Sequence, residues 1–201
     1  MALRRVLRAS LVAVAVGAAS LAVAAPASAT PAAPTTHHHS STGKQLNDWQ
    51  TTLKLDAGTA KVLKDNGVSV APTGDAHPYG SKIAFPITGG SIDLSNLAGT
   101  IEHSGGLVFT AGGTSLGVQD FVIDTAKGVL TAEVSGTSTR VPLLDLDLSG
   151  ASVKPDSKGV TISGVKATLT SEAAGALNKT FGVSLFTKGI PVGTAKVVAC
   201  F

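Results

Sequence analysis

The feature that most constrains the fold is the stretch of residues 98–136, in which short apolar runs alternate with glycine-containing turns. The apolar runs are residues 107–109, 116–123 and 129–134, and the turns beside them are Gly105-Gly106, Gly112-Gly113 and Lys127-Gly128. This spacing is typical of antiparallel β-strands joined by tight turns. It predicts a β-meander, and the rest of the chain is expected to complete the same sheets.

Alternation of apolar and polar residues continues outside the meander. Leu144, Leu146 and Leu148 alternate with aspartates, a pattern that predicts a strand with one buried and one solvent-facing side. The final segment, residues 191–201, repeats the pattern over a length that favours central pairing and closure of a sheet.

Two interruptions of the alternation carry structural information. Pro86 lies within the apolar alternation of residues 83–87, and because proline has no N–H it predicts an edge strand. In residues 116–123 the alternation changes phase, which predicts a β-bulge near Gln119 and Asp120, or burial of both faces.

Two short helices are predicted, one on each side of the meander. The first has Asp56 as a plausible N-cap and ends before Gly67. The second has Ser171 as its cap, spans residues 172–179 and turns Leu177 inward.

The first 29 residues have the three parts of a secretory signal peptide. Arg4, Arg5 and Arg8 form its basic start, residues 11–23 its apolar core, and small residues lead to Ala29. Cleavage after Ala29 by the general secretory route is expected, with the twin-arginine route as an alternative. The core is too short for an anchor and no second such run follows, so we expect a secreted or cell wall-associated protein without a transmembrane anchor.

The basic balance of the chain comes from this signal. It holds three of the 16 basic residues and no acidic one, so cleavage leaves 13 of each charge, with Arg140 as the remaining arginine. No basic patch interleaved with aromatic residues is left, and nucleic acid is therefore an unexpected partner.

The mature chain is predicted to consist of a spacer and one domain. Residues 30–45 are rich in Pro, Ala, Thr and Ser and are expected to be disordered. Within them, His37, His38 and His39 are either weak ligands for a divalent transition metal or an incidental polar tract. Residues 46–201 form the domain, and about 150 residues suffice for one hydrophobic core.

The sequence contains weak candidates for a metal site and for a covalent dimer. Asp145 and Asp147 lie on one face of a predicted strand, where they could share a calcium ion or form a solvated face. Cys200 is the only cysteine, so it either links two chains on oxidation or is a small apolar residue of the last strand.

His103 is the most informative single residue of the sequence. It shares a predicted strand face with the apolar Ile101, which places it at the rim of the core, within reach of a ligand; a structural histidine bonded to backbone is the alternative. His77 and Tyr79 belong to a second polar and aromatic cluster, in a predicted loop. No Gly-x-Ser-x-Gly elbow and no Cys–His set occurs, so the sequence predicts no enzyme.

Residues 99–134 resemble the central part of HtaA-type domains, the secreted or cell-wall haem-uptake modules of actinobacteria. Within these residues the resemblance rests on the strand that ends at His103, the glycine turns, the strand containing Asp120 and the Gly128-x-Leu130 motif. Before them, residues 85–90 match a Phe-x-x-x-Gly-Gly motif of the family. It implies a β-sandwich, and it matches His103 to the haem-pocket histidine of the family. Over nearly all of its mature length the chain also resembles uncharacterised secreted actinobacterial proteins.

One family feature has no counterpart in the chain. HtaA-type domains ligate haem iron through a tyrosine near their N-terminal strand, but residues 53–67 contain none and Tyr79 is the only tyrosine. The resemblance therefore implies a haem site made of His103 with Tyr79 or His77.

The sequence as a whole predicts an all-β fold, an antiparallel β-sandwich with two short helices. The expected function is that of a secreted or cell-envelope domain that binds an extracellular ligand or envelope component, or is structural, without catalysis and without a cofactor. A haem-binding HtaA-like module and a carbohydrate-active or lectin-like domain are the alternatives.

Overall fold

The computed structural model describes residues 43–46 and 48–201, all of which belong to the compact unit Ser40–Phe201. The predicted signal peptide and His37, His38 and His39 lie outside the described residues. Lys44 and Gln45, assigned to the spacer from the sequence, form a two-residue strand.

The described residues form thirteen strands and two helices. The strands of the first half are β1 (Lys44–Gln45), β2 (Asp48–Leu55), β3 (Ser69–Thr73), β4 (His77–Tyr79), β5 (Lys82–Ile92), β6 (Gly99–His103) and β7 (Gly106–Ala111). Those of the second half are β8 (Thr114–Asp124), β9 (Val129–Val134), β10 (Arg140–Asp147), β11 (Ser152–Pro155), β12 (Gly159–Leu169) and β13 (Pro191–Cys200). The helices are α1 (Ala57–Asp65) and α2 (Ser171–Phe181).

Eight strands pair side by side into a closed, barrel-like ring in the order β5, β2, β13, β12, β10, β9, β8 and β6. Every pairing is antiparallel, and β6 closes the ring because it pairs with both β5 and β8. The all-β class with two helices is confirmed, whereas the predicted plain sandwich is wrong. Closure removes the sheet edges that a sandwich leaves open.

Ring closure depends on a bend in β5. The register between β5 and β6 shifts between Ile87 and Gly89, and Gly90 follows with φ 106°. A Cβ atom at Gly90 would lie 2.2 Å from the carbonyl oxygen of Thr100, closer than any side chain can approach. The absence of a side chain at Gly90 therefore allows β6 to lie against the bent strand.

Pro86 does not mark an edge strand, contrary to the sequence prediction. β5 pairs with β2 on one side and with β4 and β6 on the other. The Pro86 carbonyl accepts a hydrogen bond from the Ser104 amide at 3.1 Å, on the side where β6 ends and β4 begins. The missing N–H faces that same junction, so the ladder tolerates proline there.

The predicted bulge in β8 and the central position of β13 are both confirmed. The β8–β9 register shifts between Gln119 and Val122, and Asp120 has a left-handed φ of 51°. This extra residue turns Phe121 and Ile123 into the core, where each is 4% exposed. β13 lies between β12 and β2 and pairs with β2 from Gly193 to Cys200.

Both helices begin at an identifiable cap. The Asp56 carboxylate accepts from the Thr59 amide at 2.9 Å, as predicted for α1. For α2 the cap is Thr170 and not Ser171: the Thr170 hydroxyl accepts from the Ala173 amide at 3.1 Å and donates to the Pro142 carbonyl at 2.8 Å. Neither helix of the described residues has the length or apolar character needed to traverse a bilayer.

Replacing Thr170 by alanine is expected to lower the free energy of unfolding by about 1–3 kcal/mol, because a buried cap and a buried bond to β10 are lost together. Ser171→Ala is the matched control, since the Ser171 hydroxyl bonds only the neighbouring exposed Glu172 in the described contacts, and it should change stability by less than about 0.5 kcal/mol. Urea denaturation of both variants measures the difference. Equal losses would contradict the assignment of the cap.

Candidate ligand-binding site

A cavity of about 100 Å³ lies inside the barrel and exposes only apolar atoms. Inward side chains from opposite sides of the ring form its wall, among them Leu53 of β2, Phe121 of β8, Leu144 of β10 and Ile162 of β12. These four side chains are all buried. The cavity is thus an incompletely filled part of the hydrophobic core.

Two aromatic rings form part of the cavity wall. Phe85 of β5 and Phe121 of β8 meet edge to face, with ring centroids 5.1 Å apart and an interplanar angle of 84°. This is the favoured geometry for two phenylalanine rings. The pair connects two strands that are not neighbours in the ring and holds the wall in place.

His103 lies in the interior, with 4% of its surface exposed, and not at the accessible rim that the sequence suggested. Its Nδ1 is 3.1 Å from the carbonyl oxygen of Phe121, and its Nε2 is 2.7 Å from the hydroxyl oxygen of Thr51. A carbonyl can only accept, so Nδ1 carries the proton and Nε2 accepts from the Thr51 hydroxyl. Both ring nitrogens therefore have protein partners, as in the structural alternative considered above.

Burial also determines the charge of His103. It lowers the pKa of the imidazole to about 4, while hydrogen bonds with the backbone at Phe121 and Ile101 oppose the shift only in part. The ring is therefore neutral at pH 7. A neutral imidazole with both nitrogens bonded to the protein adds no charge to the cavity wall.

Thr51 is the residue of this site that sequence reasoning missed. It lies on β2, is 6% exposed and lines the cavity beside His103. A local signal exists, because Thr51 and Thr52 place two polar residues in a strand that is otherwise apolar at its buried positions. That signal gives no partner, since Thr51 and His103 are 52 residues apart.

Thr51→Val is expected to lower the free energy of unfolding by about 1–3 kcal/mol, because it leaves the Nε2 lone pair of His103 buried without a donor. Thr52→Val is the matched control, since the equally buried Thr52 hydroxyl has only a long 3.5 Å bond to the Lys196 carbonyl. Thermal or urea denaturation of both variants measures the difference. A loss no larger for Thr51→Val than for Thr52→Val would argue against a strong Thr51–His103 bond.

The other two residues of the expected haem set lie on the outside of the molecule. Tyr79 and His77 are exposed residues of β4, paired with Lys82 and Ala84 of β5. Tyr79 is 55% exposed, and His77 Nδ1 bonds the Asp75 carbonyl at 3.0 Å. Neither lines the cavity that contains His103. The structure therefore does not bring the three together there.

The weaker candidates have local partners or no ligand-like neighbours. The Asp147 carboxylate accepts hydrogen bonds from the amide and the hydroxyl of Ser149, and these bonds lower the pKa of Asp147. The Asp145 carboxylate Oδ2 lies 4.0 Å from Lys188 Nζ. Among the described residues, no three His, Cys, Asp or Glu side chains are grouped closely enough to hold a metal ion. Cys200 is half-buried near the end of β13 and is a free thiol.

A second, open cleft of about 420 Å³ separates α2 from the strands beneath it. Its wall is mostly apolar, with Phe109, Leu116 and Val141 on the strands and Leu177 on the helix. Lys179 contributes the charged side chain of the lining.

The chain is similar to proteins of one known family. The family model for HtaA, described as Htaa, matches residues 49–183. The C-terminal domain of HtaA from Corynebacterium glutamicum has a TM-score of 0.58 and 16% identity, over 78% of this chain and 98% of that domain. A domain-swapped dimer of a histidine-to-alanine variant of that domain has a TM-score of 0.50 and 18% identity, over 71% of this chain and 90% of the variant's chain.

A third solved structure, heme binding protein HtaB from Corynebacterium glutamicum, has a TM-score of 0.48 and 10% identity, over 79% of this chain and 95% of that one. A search of curated protein sequences finds no match. At these identities the structural likeness establishes the fold alone.

Proposed function

The chain belongs to the HtaA family, and from this membership we propose that it is a non-enzymatic binding domain that acts outside the cytoplasm, in the medium or at the cell wall. The observation that carries the proposal is the wholly apolar cavity within a closed eight-stranded ring. Rings of this size either fill their interior with side chains or hold one small ligand. The amino-terminal signal pattern supports export.

A binding role suits the chemistry of the cavity better than catalysis. Of the described residues that line it, His103 is the one with an ionisable side chain, and both of its ring nitrogens are already bonded. General acid–base work requires a group that can exchange a proton with a substrate. The cavity can therefore hold an apolar molecule but offers it no proton donor or acceptor.

Haem is the second candidate ligand. It is favoured because the chain belongs to the HtaA family, whose domains are haem-uptake modules. Haem iron takes its protein ligands from His, Tyr, Cys or Met side chains. Among the described residues lining the cavity, only His103 is of these types, and it would have to give up two hydrogen bonds to bind iron. The described residues around the cavity therefore do not provide a free ligand for haem iron.

The proposal is tested by thermal denaturation of the chain from Thr30 onward in the presence of haemin, metal-free protoporphyrin or uncharged hydrocarbons. A ligand that binds only the folded state stabilises it by about 2.7 kcal/mol at one hundred times its Kd. Saturable stabilisation by one of these classes supports a binding domain. No stabilisation by any of them would overturn the proposal.

An absorbance titration with haemin tests the haem candidate separately. The proteins are the wild type, Tyr79→Phe and His77→Ala, and both substitutions fall on exposed positions that should not disturb the core. A one-to-one Soret shift that either substitution removes would establish haem binding through β4. Unshifted or equal spectra would exclude Tyr79 and His77 as iron ligands.

A further inference from the structure

We propose that the barrel cavity binds an uncharged hydrocarbon, not haem. The hydrocarbon enters at the end of the barrel where the helices lie. This inference rests on the proposed binding function and names the ligand class for it. The polarity, the volume and the accessible end of the cavity support it.

The cavity wall exposes no polar atom that could hold a water molecule. The described polar side chains around it are Thr51, Thr59, His103 and Thr125, and none of their polar atoms is exposed to the cavity. The Thr51 hydroxyl bonds His103 Nε2, and His103 Nδ1 bonds the Phe121 carbonyl. No buried side-chain nitrogen or oxygen among the described residues lacks a hydrogen-bond partner. A buried water typically makes about three hydrogen bonds, and a cavity that offers none stays dry.

The volume suits a small apolar molecule. A space of about 100 Å³ exceeds the roughly 10–15 Å³ that one water requires on the same measure, and it approaches the roughly 150 Å³ of a dry apolar cavity that binds benzene. The atoms around an empty space have no contact partners on one side. A hydrocarbon that fills it restores those contacts without desolvating any polar group.

One end of the barrel offers an entrance. α1 follows β2 and α2 follows β12 at this end, where Leu55 pairs with Gly193 at the start of β13. Leu55, Val70 and Val192 line the cavity there and are only half-buried, in contrast to the buried centre of the wall. None of the described residues that line the cavity is Asp, Glu, Lys or Arg, so a charged group inside it would be desolvated without a partner.

The experiment uses benzene and xenon as probes of the chain from Thr30 onward. Benzene binding is measured by the shift in thermal midpoint, and xenon is located by its effect on the methyl resonances of cavity residues. Ala195→Val fills part of the cavity from β13, whereas Val198→Leu adds a methylene on a residue of the same strand outside the cavity wall. Ile162→Val enlarges the cavity by one methylene and is a mild change in a core.

We expect saturable benzene binding that Ala195→Val weakens roughly tenfold, that Val198→Leu leaves unchanged and that Ile162→Val retains or strengthens. Xenon should shift the methyl resonances of Leu53, Leu144 and Ile162. An absence of binding, or an equal response of Ala195→Val and the wild type, would overturn the inference. Haemin or protoporphyrin binding in that case would still support the proposed function, whereas failure of every ligand class would remove both.

Discussion

Replacing Phe121 by alanine is expected to lower the free energy of unfolding by about 3–5 kcal/mol, the largest effect foreseen for a single side chain. Phe121 is 4% exposed and packs edge to face against Phe85 of β5, which is separated from β8 by β6 alone. The loss removes this contact and joins the vacated volume to the existing cavity. Strands held in a closed ring cannot move together to refill the space, so the destabilisation should be near the upper end for such changes.

Phe109→Ala is the control for this prediction. Phe109 also lines the cavity, but it is only half-buried and lies on β7, outside the closed ring. Phe109→Ala should lower the free energy of unfolding clearly less than Phe121→Ala does. Urea denaturation measures both losses, and an unchanged dependence of the unfolding free energy on urea concentration checks that unfolding stays two-state. A Phe121→Ala loss below that of Phe109→Ala would contradict the assignment of Phe121 to the rigid wall.

Acidification from pH 7 to pH 4 is expected to destabilise the protein by about 3 kcal/mol through His103 alone. In the folded state the pKa of His103 is lowered to about 4, whereas an unfolded chain protonates its histidine near pH 6.5. Between these values the unfolded state binds the additional proton. Stability is therefore complete above pH 6.5, falls as the pH falls and reaches its full loss near pH 4.

His103→Gln is the matched variant for the pH prediction. A glutamine amide can donate to the Phe121 carbonyl and accept from the Thr51 hydroxyl, but it does not titrate. Unfolding free energies measured from pH 7 to pH 4 should fall more steeply for the wild type than for His103→Gln. Exposed carboxylates such as Asp93 and Asp147, whose pKa is lowered by serine hydrogen bonds, titrate alike in both proteins. Parallel curves would show that His103 is not the buried neutral group described above.

Local features of the fold were predictable because they depend on neighbouring residues. The two-residue alternation predicted the strands, the phase change at Gln119 and Asp120 predicted the bulge in β8, and the Asp56 cap followed from a side chain that reaches three residues ahead. The α2 cap was misplaced by one residue. Thr170 and Ser171 are both good caps, and the choice depends on a bond from Thr170 to β10 that lies 28 residues away.

The all-β class, the two helices and the apolar strand face on which His103 lies could be predicted from the amino-acid sequence, since each follows from periodicity and capping over a few residues. Closure of the sheet into a ring could not be predicted in this way, because closure requires β6 to pair with both β5 and β8, which are distant in sequence. The partner of His103 could not be predicted either. Thr51 contacts the imidazole of His103 from β2, 52 residues away, and strand periodicity assigns a residue to one face of a sheet but does not identify the residue that it contacts.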